Sequence, residues 1–313
     1  PLADDCVWIS LKRVKKIERI DTNNTKIIFD NNNYVPQGVC YAEGYYFLTM
    51  YDYSKKDNSI LFIYKNGDVF KKLTLDNKTH GGGISFDYKS NCIFITGIGE
   101  NNHSYIYKYE LSYLLSEHND GFVKTKFKYE VDYDNSLYSS AAKHSSPSYL
   151  TCFDGYIYVG NYCSCEDLDR CIIKKFKILS DGSLSKSFDL IKNPFSNTQG
   201  ICVFEYNNEI LYLFSRSFGR KRNSLIHVCK LENETFCIIS TMVLPSMLEQ
   251  VSIAEDKLVL IFESGSKIFS KSVLNVNDDI FLINLDRVLN SKDKYGTFCK
   301  GTSFFTRNTR YKY

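Results

Sequence analysis

The chain lacks long apolar runs and any large excess of one charge. No stretch approaches the roughly 20 consecutive apolar residues that a membrane helix needs, so we expect no membrane span. The formal net charge is only +3 over 313 residues. No element combines clustered Lys and Arg with exposed aromatics, so nucleic-acid binding is not favoured. No Ser/His/Asp order and no nucleophile elbow are recognisable, and the isolated run Gly81–Gly83 is too weak a signal for a phosphate-binding loop.

Tryptophan and proline are also scarce, at 1 and 5 residues, whereas the chain holds 24 Tyr and 22 Phe. Abundant aromatics suit half-buried, pleated surfaces between stacked sheets. Five times along the chain, a short turn leads into a similar pair of strand-like segments. Their period of roughly 40–65 residues indicates a solenoid, propeller or array. Units of four strands indicate a β-propeller.

The repeats therefore predict an all-β, five-bladed β-propeller of four-stranded antiparallel blades, as one domain over residues 1–313. In the second blade we expect the fourth strand at Gly121 to Tyr129. The last blade lacks a fourth strand after Leu285, so we expect the amino-terminal segment to supply it, because closing the ring removes exposed edges. The predicted blades span residues 37–75, 80–130, 146–190, 199–240 and 249–285, with the closing strand within residues 7–30.

The first strands of four repeats can be overlaid in register. Because alternate residues of a strand face opposite sides, we expect each first strand to present a large aliphatic residue to one neighbouring blade and a small residue to the other. This explains Cys40 and Cys202 as small buried residues without any chemistry. The large residues are Val39, Ile84, Ile201 and Val251, and the small ones are Cys40, Ser85, Cys202 and Ser252.

Several features favour a secreted protein. The sequence starts at Pro1 rather than Met, as a mature form with its signal peptide removed would. Eleven cysteines suit an oxidising compartment, and their odd number leaves at least one unpaired. Cys6 and Cys299 lie near the termini that ring closure brings together, so a disulfide between them is expected. Four glycosylation sequons, about the number that chance gives in such a composition, lie at Asn23, Asn77, Asn102 and Asn233.

Two further disulfides are candidates. Cys229 and Cys237 flank a tight turn and are expected to lie opposite each other in a hairpin, as a cross-strand disulfide would require. Cys163, Cys165 and Cys171 form a Cys-x-Cys-x5-Cys pattern. Tetrahedral zinc sites usually show paired short spacings. A loop disulfide such as Cys163–Cys171 is therefore favoured over zinc.

The residues that open each innermost strand crowd together at one end of a propeller axis. A carboxylate, an imidazole and a guanidinium converging there would form a small-molecule pocket or an acid/base centre. The alternative is that these side chains only bind water and one another. A carboxylate at the mouth could also coordinate a cation on the axis, and no other cofactor is indicated. The first strands contribute Gln37, His80, Gly82, Pro147 or Ser148, Gln199 and Glu249, and the second strands and their loops contribute Tyr51, Asp52, Asn161, Arg216, Arg220 and Glu263.

Two segments resemble a particular group of propeller proteins and not only propellers in general. Phe214 to Arg220, and Leu244 to Gln250 with the later Phe262 to Gly265, resemble segments of a group of secreted, mostly bacterial propeller proteins of undefined function. In that group the second segment tends to read Pro-Pro-Met-x-Glu-Gly, so Ser246 and Gln250 depart from it. The resemblance implies the propeller fold and secretion but no activity.

A second, weaker similarity is to plant-type glutaminyl cyclases, which are also five-bladed. Val35-Pro36-Gln37-Gly38 looks like their opening Thr-Gln-Gly segment, which would place Gln37 at a substrate site. Their catalytic Glu follows the second strand of the first blade, where this chain has Thr49-Met50-Tyr51-Asp52. Only Glu263, on the equivalent strand of the fifth blade, has comparable surroundings.

We therefore weigh three hypotheses. The favoured one is a secreted, monomeric binding module that holds a small ligand or a partner protein at the channel mouth, where the tyrosines offer stacking surface. The alternative is an enzyme, a hydrolase, lyase or glutaminyl-cyclase-like cyclotransferase. It would use Glu249 or Glu263 as acid/base with His80 as partner, and Arg220 would hold an anionic group. The third is a purely structural scaffold.

Overall fold

The computed structural model describes residues 25–29, 32–99, 103–117, 121–125, 127–131, 146–163, 171–273 and 275–290. The regular secondary structure of the described residues is almost entirely β-strand. None of its helices is both long and apolar enough to cross a bilayer. In chain order the first elements are β1 (Thr25–Lys26), β2 (Tyr34–Ala42), β3 (Tyr45–Asp52), β4 (Ile60–Lys65), β5 (Asp68–Leu75), β6 (Ile84–Asp87), β7 (Cys92–Ile98), β8 (Ser104–Glu110), α1 (Leu111–Leu115), β9 (Phe122–Val123) and β10 (Phe127–Glu130). The remaining elements are β11 (Pro147–Phe153), β12 (Tyr156–Asn161), β13 (Ile172–Ile178), β14 (Leu184–Lys192), β15 (Thr198–Tyr206), β16 (Glu209–Arg216), β17 (Ser224–Glu232), β18 (Thr235–Leu244), β19 (Leu248–Ala254), β20 (Lys257–Phe262), a 3₁₀ turn (Glu263–Gly265), β21 (Asp279–Asn284) and α2 (Leu285–Asn290).

The strands form five sheets, and each sheet is one blade of a propeller. From the inside outward, blade 1 is β2-β3-β4-β5, blade 2 is β6-β7-β8-β10, blade 3 is β11-β12-β13-β14, blade 4 is β15-β16-β17-β18 and blade 5 is β19-β20-β21-β1. The innermost strands contact one another in the cyclic order β2, β6, β11, β15, β19 and back to β2. This closed ring confirms the prediction of five four-stranded antiparallel blades.

Local chemistry explains the hairpins. In five of them, two consecutive turn residues both have positive φ, the backbone of a type I′ turn that matches the twist of the flanking strands. Asn, Asp and Gly tolerate that conformation best, and these turns are rich in them. The pairs are Glu43-Gly44, Asn66-Gly67, Asp154-Gly155, Asn207-Asn208 and Asn233-Glu234.

Apolar clusters lie between each pair of adjacent blades. Val39 packs in the cluster between blades 5 and 1, whereas its neighbour Cys40 packs in the one between blades 1 and 2. Ile201 and Cys202 repeat this arrangement on either side of blade 4. In blades 1 and 4, the first strand thus presents its large residue to the preceding blade and its small residue to the following blade, as the overlay predicts. Burial raises the pKa of the Cys202 thiol to about 12, consistent with a packing role.

The amino-terminal segment closes the ring. Strand β1 pairs with β21 in antiparallel register, Thr25 opposite Ile280 and Lys26 opposite Asp279. The Lys26 ammonium lies 2.5 Å from a carboxylate oxygen of Asp278. The predicted strand segment Val7 to Ile20 lies outside the described residues. The closing contact thus consists of two residues that fall within the predicted range of 7–30.

The segment predicted as one strand from Gly121 to Tyr129 forms two. Phe122–Val123 pairs in parallel with Thr74 and Leu75 at the outer edge of blade 1, and Phe127–Glu130 pairs with β8 in blade 2. Thr125 lies between them, and its backbone N–H donates to Asp76 at 3.1 Å. The chain thus crosses from blade 1 to blade 2 here, adds a fifth, parallel strand to blade 1, and connects the outer parts of the two blades.

The predicted disulfides are wrong wherever the structure describes both cysteines, since no two described cysteines are joined. The β17–β18 turn is Asn233-Glu234, so Cys237 lies opposite Lys230 and Cys229 opposite Ile238. Neighbouring residues face opposite sides of a strand, so the two thiols diverge. Cys163 and Cys171 are likewise not bonded to each other. Cys6, Cys165 and Cys299 lie outside the described residues, and secretion stays a prediction.

One side chain crosses the propeller axis. From β19 in blade 5, the Gln250 amide accepts a hydrogen bond from the Ile84 N–H at 2.9 Å. It donates to the carbonyl oxygens of Ile84 at 2.6 Å and Leu150 at 3.3 Å. Ile84 belongs to blade 2 and Leu150 to blade 3, which lie opposite blade 5 in a ring of five. The amide therefore closes the channel at this level.

Replacing Gln250 with Leu should lower the free energy of unfolding by about 3 kcal/mol, because the Ile84 N–H and two carbonyl oxygens would lose a partner in a buried setting. Urea unfolding monitored by circular dichroism measures this change. The control Gln199→Leu, one level nearer the mouth, should change stability by less than about 1 kcal/mol. Equal stability of the Gln250→Leu variant and the unmodified protein would contradict the bridging role.

Candidate functional site

Bulges at the start of the innermost strands aim side chains into the channel. The pairing register shifts between Pro36 and Gly38, between Pro147 and Tyr149, between Thr198 and Gly200, and between Leu248 and Val251. A bulge leaves its extra residue outside the ladder and re-aims that side chain. The residues freed in this way are Gln37, Ser148, Gln199, and Glu249 with Gln250. Four of them open the innermost strands at the positions where the sequence predicts mouth residues.

Two glutamates lie together at this mouth. Glu249 is 3% exposed, and its Oε1 accepts a 3.4 Å hydrogen bond from the Gln199 amide. Its backbone carbonyl oxygen is held by the Ser215 hydroxyl at 2.6 Å. Glu263 begins the 3₁₀ turn after β20, and its Oε1 accepts from the Gln37 amide at 2.5 Å. The structure thus brings together the predicted residues Gln37, Gln199, Glu249 and Glu263.

The two carboxyl groups are difficult to ionise together. Burial, and then repulsion from Glu263, raise the pKa of Glu249 well above its usual range. Burial raises the pKa of Glu263 to about 7, although the Gln37 hydrogen bond and the Arg220 charge oppose the shift. Within the described part of the chain, neither carboxylate has a Lys, Arg or His within ion-pair distance. At neutral pH the pair therefore retains at least part of a proton.

Aromatic rings border the glutamates. Burial and both glutamate charges raise the pKa of Tyr51, which places its hydroxyl near the carboxyl pair. The pKa of Tyr162 is raised by burial and by the same two charges. His80 packs edge-on against Tyr51, with 4.2 Å between ring centroids. Arg220 stacks over Phe269 at 4.8 Å. Polar and aromatic side chains therefore surround the carboxyl pair at the mouth.

His80 does not contact either glutamate. His80 is exposed to solvent, but the protein atoms beside its ring still withdraw part of it from water. This environment and the Lys55 charge lower its pKa, so the imidazole is neutral at pH 7. His80 and Glu249 are therefore not hydrogen-bonded to each other, and the charge that acts on Glu249 is that of Glu263; a joint acid/base role stays a prediction.

Two predicted ligand residues serve local structure instead. Asp52 is buried and accepts hydrogen bonds from the backbone N–H groups of Lys56 and Asp57 at 2.8 and 3.0 Å, and from the Ser54 hydroxyl at 2.5 Å. Burial raises the pKa of Asp52, but these bonds outweigh it and leave the pKa below its usual value. Asn161, also buried, accepts from the Ile172 N–H at 3.0 Å. Both side chains hold the chain after a second strand.

Arg216 is also held within its own blade. Its guanidinium donates to the Ser196 carbonyl oxygen at 2.8 Å and lies 3.3 Å from the His227 ring. His227 is buried, stacked on Phe195 at 4.6 Å and bonded to Thr241 at 2.9 Å. Arg220 is the arginine whose charge acts on Glu263.

The sequence did not point to Gln250 or Tyr162 as mouth residues. A signal for Gln250 existed: in the overlay, the residue before Val39, Ile84 and Ile201 is glycine, and only Gln250 has a long polar side chain there. Among the described residues, no group of three or more His, Cys, Asp or Glu side chains could hold a metal ion. The oxygen atoms at the mouth come from two glutamates, two glutamines and tyrosine.

Comparisons with known proteins support the fold alone. No family model matches the chain, and no curated protein matches it. A thermostable family-43 glycoside hydrolase is 12% identical, with 92% of this chain and 100% of that chain covered and a TM-score of 0.51. A second glycoside hydrolase is 13% identical over 91% of this chain and 67% of that one, with a TM-score of 0.45. The WD40 propeller domain of Doa1 is 10% identical over 78% and 68%, with a TM-score of 0.39.

The carboxyl pair predicts a pH-dependent stability. Raised pKa values in the folded state mean that folding keeps protons which the unfolded chain releases above about pH 4.5. The contribution of the pair to stability is therefore complete below that pH and is lost as pH rises through 7. Glu249→Gln removes one ionisation and the repulsion, so at pH 8 it should be more stable than the unmodified protein by about 1–3 kcal/mol.

Urea unfolding at pH 5 and pH 8 tests this expectation, since the advantage of Glu249→Gln should shrink toward zero at pH 5. The exposed Glu205 on β15 supplies a control of the same chemistry, Glu205→Gln. An advantage that is equal at both pH values, or that Glu205→Gln shares, would contradict the assignment of the raised pKa to the mouth.

Proposed function

We propose that the protein is a binding module that holds a small ligand at the mouth of its central channel. One observation carries the proposal: Glu249, Glu263, Gln37 and Gln199 converge on one depression, and each keeps polar atoms that no described residue satisfies. Buried polar groups normally find partners, so atoms left over in a concave site support a ligand. We also propose that the protein is secreted and related to the secreted bacterial propellers that its sequence resembles.

Three blades form this site. Glu249 and Glu263 come from blade 5, Gln37 from blade 1 and Gln199 from blade 4. Gln250 lies one level deeper and closes the channel, so the mouth has a floor. A ligand would enter from one face only and would stay in contact with solvent on that side. A site of this shape suits a small molecule, or one protruding side chain of a partner protein, better than a broad protein surface.

A thermal-shift screen against sugars, nucleotides, amines, divalent metals and peptides with amino-terminal Gln tests this proposal. At a ligand concentration of 100 Kd, stabilisation should reach about 2.7 kcal/mol, which is several degrees of melting temperature. The shift should vanish in Glu249→Gln and persist in Glu205→Gln. A screen with no shift, or shifts that are equal in both variants, would contradict a ligand site at the mouth.

A second candidate function is acid/base catalysis by the carboxyl pair. The observation that favours it is the pKa of Glu263, raised to about 7 beside a second carboxyl group, because a general acid or base is most effective near the working pH. When two neighbouring carboxyl groups have different environments, the one with the higher pKa can act as the acid and the other as the base. The similarity to glutaminyl cyclases suggests amino-terminal glutamine as substrate, with Gln37 in contact with it.

Mass spectrometry of a glutaminyl peptide incubated with the protein tests the cyclase reading. Cyclisation would appear as the loss of one ammonia from the peptide. Glu263→Gln should reduce this rate by about a hundredfold or more if Glu263 transfers the proton, and Glu205→Gln should not change it. A peptide that remains intact with the unmodified protein over days would exclude this reaction.

A further inference from the structure

The two glutamates at the mouth accept fewer hydrogen bonds than their oxygen atoms can. Glu249 accepts one hydrogen bond, at Oε1, and Glu263 also accepts one, at Oε1. The Oε2 atoms of both glutamates have no donor among the described residues. An ionised carboxylate offers about four acceptor sites. When ionised, each glutamate therefore retains most of its accepting capacity, and a bound cation would favour that ionised form over the shared proton.

The two glutamines add further acceptors. Beside a carboxylate oxygen, a glutamine amide must present its nitrogen, because its own oxygen would be repelled. The Gln37 nitrogen donates to Glu263 at 2.5 Å and to the Pro36 carbonyl oxygen at 3.0 Å. The Gln199 nitrogen faces Glu249. In the described structure the amide oxygens of both glutamines receive no hydrogen bond.

These four oxygen atoms reach the open part of the channel. The only fully enclosed side-chain nitrogen or oxygen atom without a partner, among the residues that the structure describes, is the Ser246 hydroxyl. The unpartnered oxygens of Glu249, Glu263, Gln37 and Gln199 are therefore accessible from the mouth. Glu263 and Gln199 are half-buried, whereas Glu249 and Gln37 are only 3% and 1% exposed, so a ligand reaches the first two side chains more readily than the other two.

Donors border the mouth but leave these oxygen atoms without a hydrogen bond. The Tyr162 hydroxyl already donates to Asn197 at 3.2 Å. The exposed Arg220 guanidinium stacks on Phe269 and makes no ion pair with Glu263 among the described residues, so its N–H groups do not satisfy the carboxylate oxygens. The Tyr51 hydroxyl remains, with no described acceptor. A surplus of acceptors around two carboxylates selects a ligand that brings N–H donors and positive charge.

The residues around the two glutamates favour an organic cation over a metal ion as the ligand. A hard cation such as Ca²⁺ takes six to eight oxygen ligands, and the described residues offer no group of three or more His, Cys, Asp or Glu side chains that could hold a metal ion. Tyr51 and Tyr162 lie near both carboxylates, and tyrosine rings stabilise organic cations but do not ligate Ca²⁺ through their faces. Both features favour an organic cation.

We infer that the mouth binds an organic cation with N–H donors, an ammonium or guanidinium group. The group lies between Glu249 and Glu263, donates to their free oxygens and to the Gln37 and Gln199 amide oxygens, and packs against Tyr51. This inference rests on the proposed ligand-binding function and names the chemical class of its ligand. A free small amine and a Lys or Arg side chain of a peptide share this chemistry.

Isothermal titration calorimetry at pH 8 tests the inference with five probes: cadaverine, agmatine, tetramethylammonium, glucose and CaCl₂. Cadaverine or agmatine should bind the unmodified protein, and both Glu249→Gln and Glu263→Gln should weaken that binding about tenfold or more. Glu205→Gln should bind as the unmodified protein does. Tetramethylammonium carries charge without N–H donors, so it should bind more weakly than cadaverine. A short Lys-containing peptide then shows whether a side chain can replace the free amine.

Three other calorimetric results would contradict the inferred cation or the proposed function. If glucose or another neutral probe binds and Glu249→Gln abolishes that binding, the ligand site exists and the inferred cation is wrong. If CaCl₂ binds at the glutamates and the amines do not, the site is a metal site and the inference is overturned. If no probe here and no compound in the wider screen binds, the proposed function fails as well. Melting curves of both variants verify that they are folded.

Discussion

The Gln250 amide spans the propeller axis from blade 5 to the backbone of blades 2 and 3, and glycine occupies the same level in three of the other blades. A Cβ atom on Gly38 would lie 2.9 Å from the Gln250 amide oxygen, and one on Gly200 would lie 2.8 Å from the Gln250 Cα. A Cβ atom on Gly83 would lie 2.4 Å from the Leu150 nitrogen. Glycine at these three positions thus lets neighbouring innermost strands approach closely, and at Gly38 it also leaves room for the Gln250 amide.

The same local irregularity creates the site. Gln250 reaches the axis because β19 bulges between Leu248 and Val251, and that bulge also frees Glu249 to face the mouth. Because the amide closes the channel below it, Glu249 is shielded from water on its inner side, which raises the pKa of its carboxyl group. A buried carboxylate without a cationic partner is costly. Such costs persist where the surrounding structure enforces them and are often associated with function.

Repetition made the fold predictable from sequence, whereas side-chain direction limited the prediction of the site. The overlay of first strands correctly located Gln37, Gln199 and Glu249, because equivalent positions in a ring face the same axis. It did not show that Asp52 turns back to hold its own loop, since direction at a strand end depends on the following turn. The predicted Cys229–Cys237 pair was wrong because the turn at Asn233-Glu234 places Cys237 opposite Lys230, and neighbouring residues of a strand face opposite sides.

The site also crosses the seam where the ring closes. Gln37 belongs to blade 1 and Glu263 to blade 5, so their hydrogen bond joins the first and last blades, as the Tyr41 hydroxyl does with Glu255 at 2.7 Å. Blade 5 itself is completed by β1, which pairs through only two residues. Separation of blades 1 and 5 would pull Gln37 away from Glu263 and remove an acceptor from the site. A ligand that contacts both residues therefore stabilises the closed ring, because it binds only while the seam is intact.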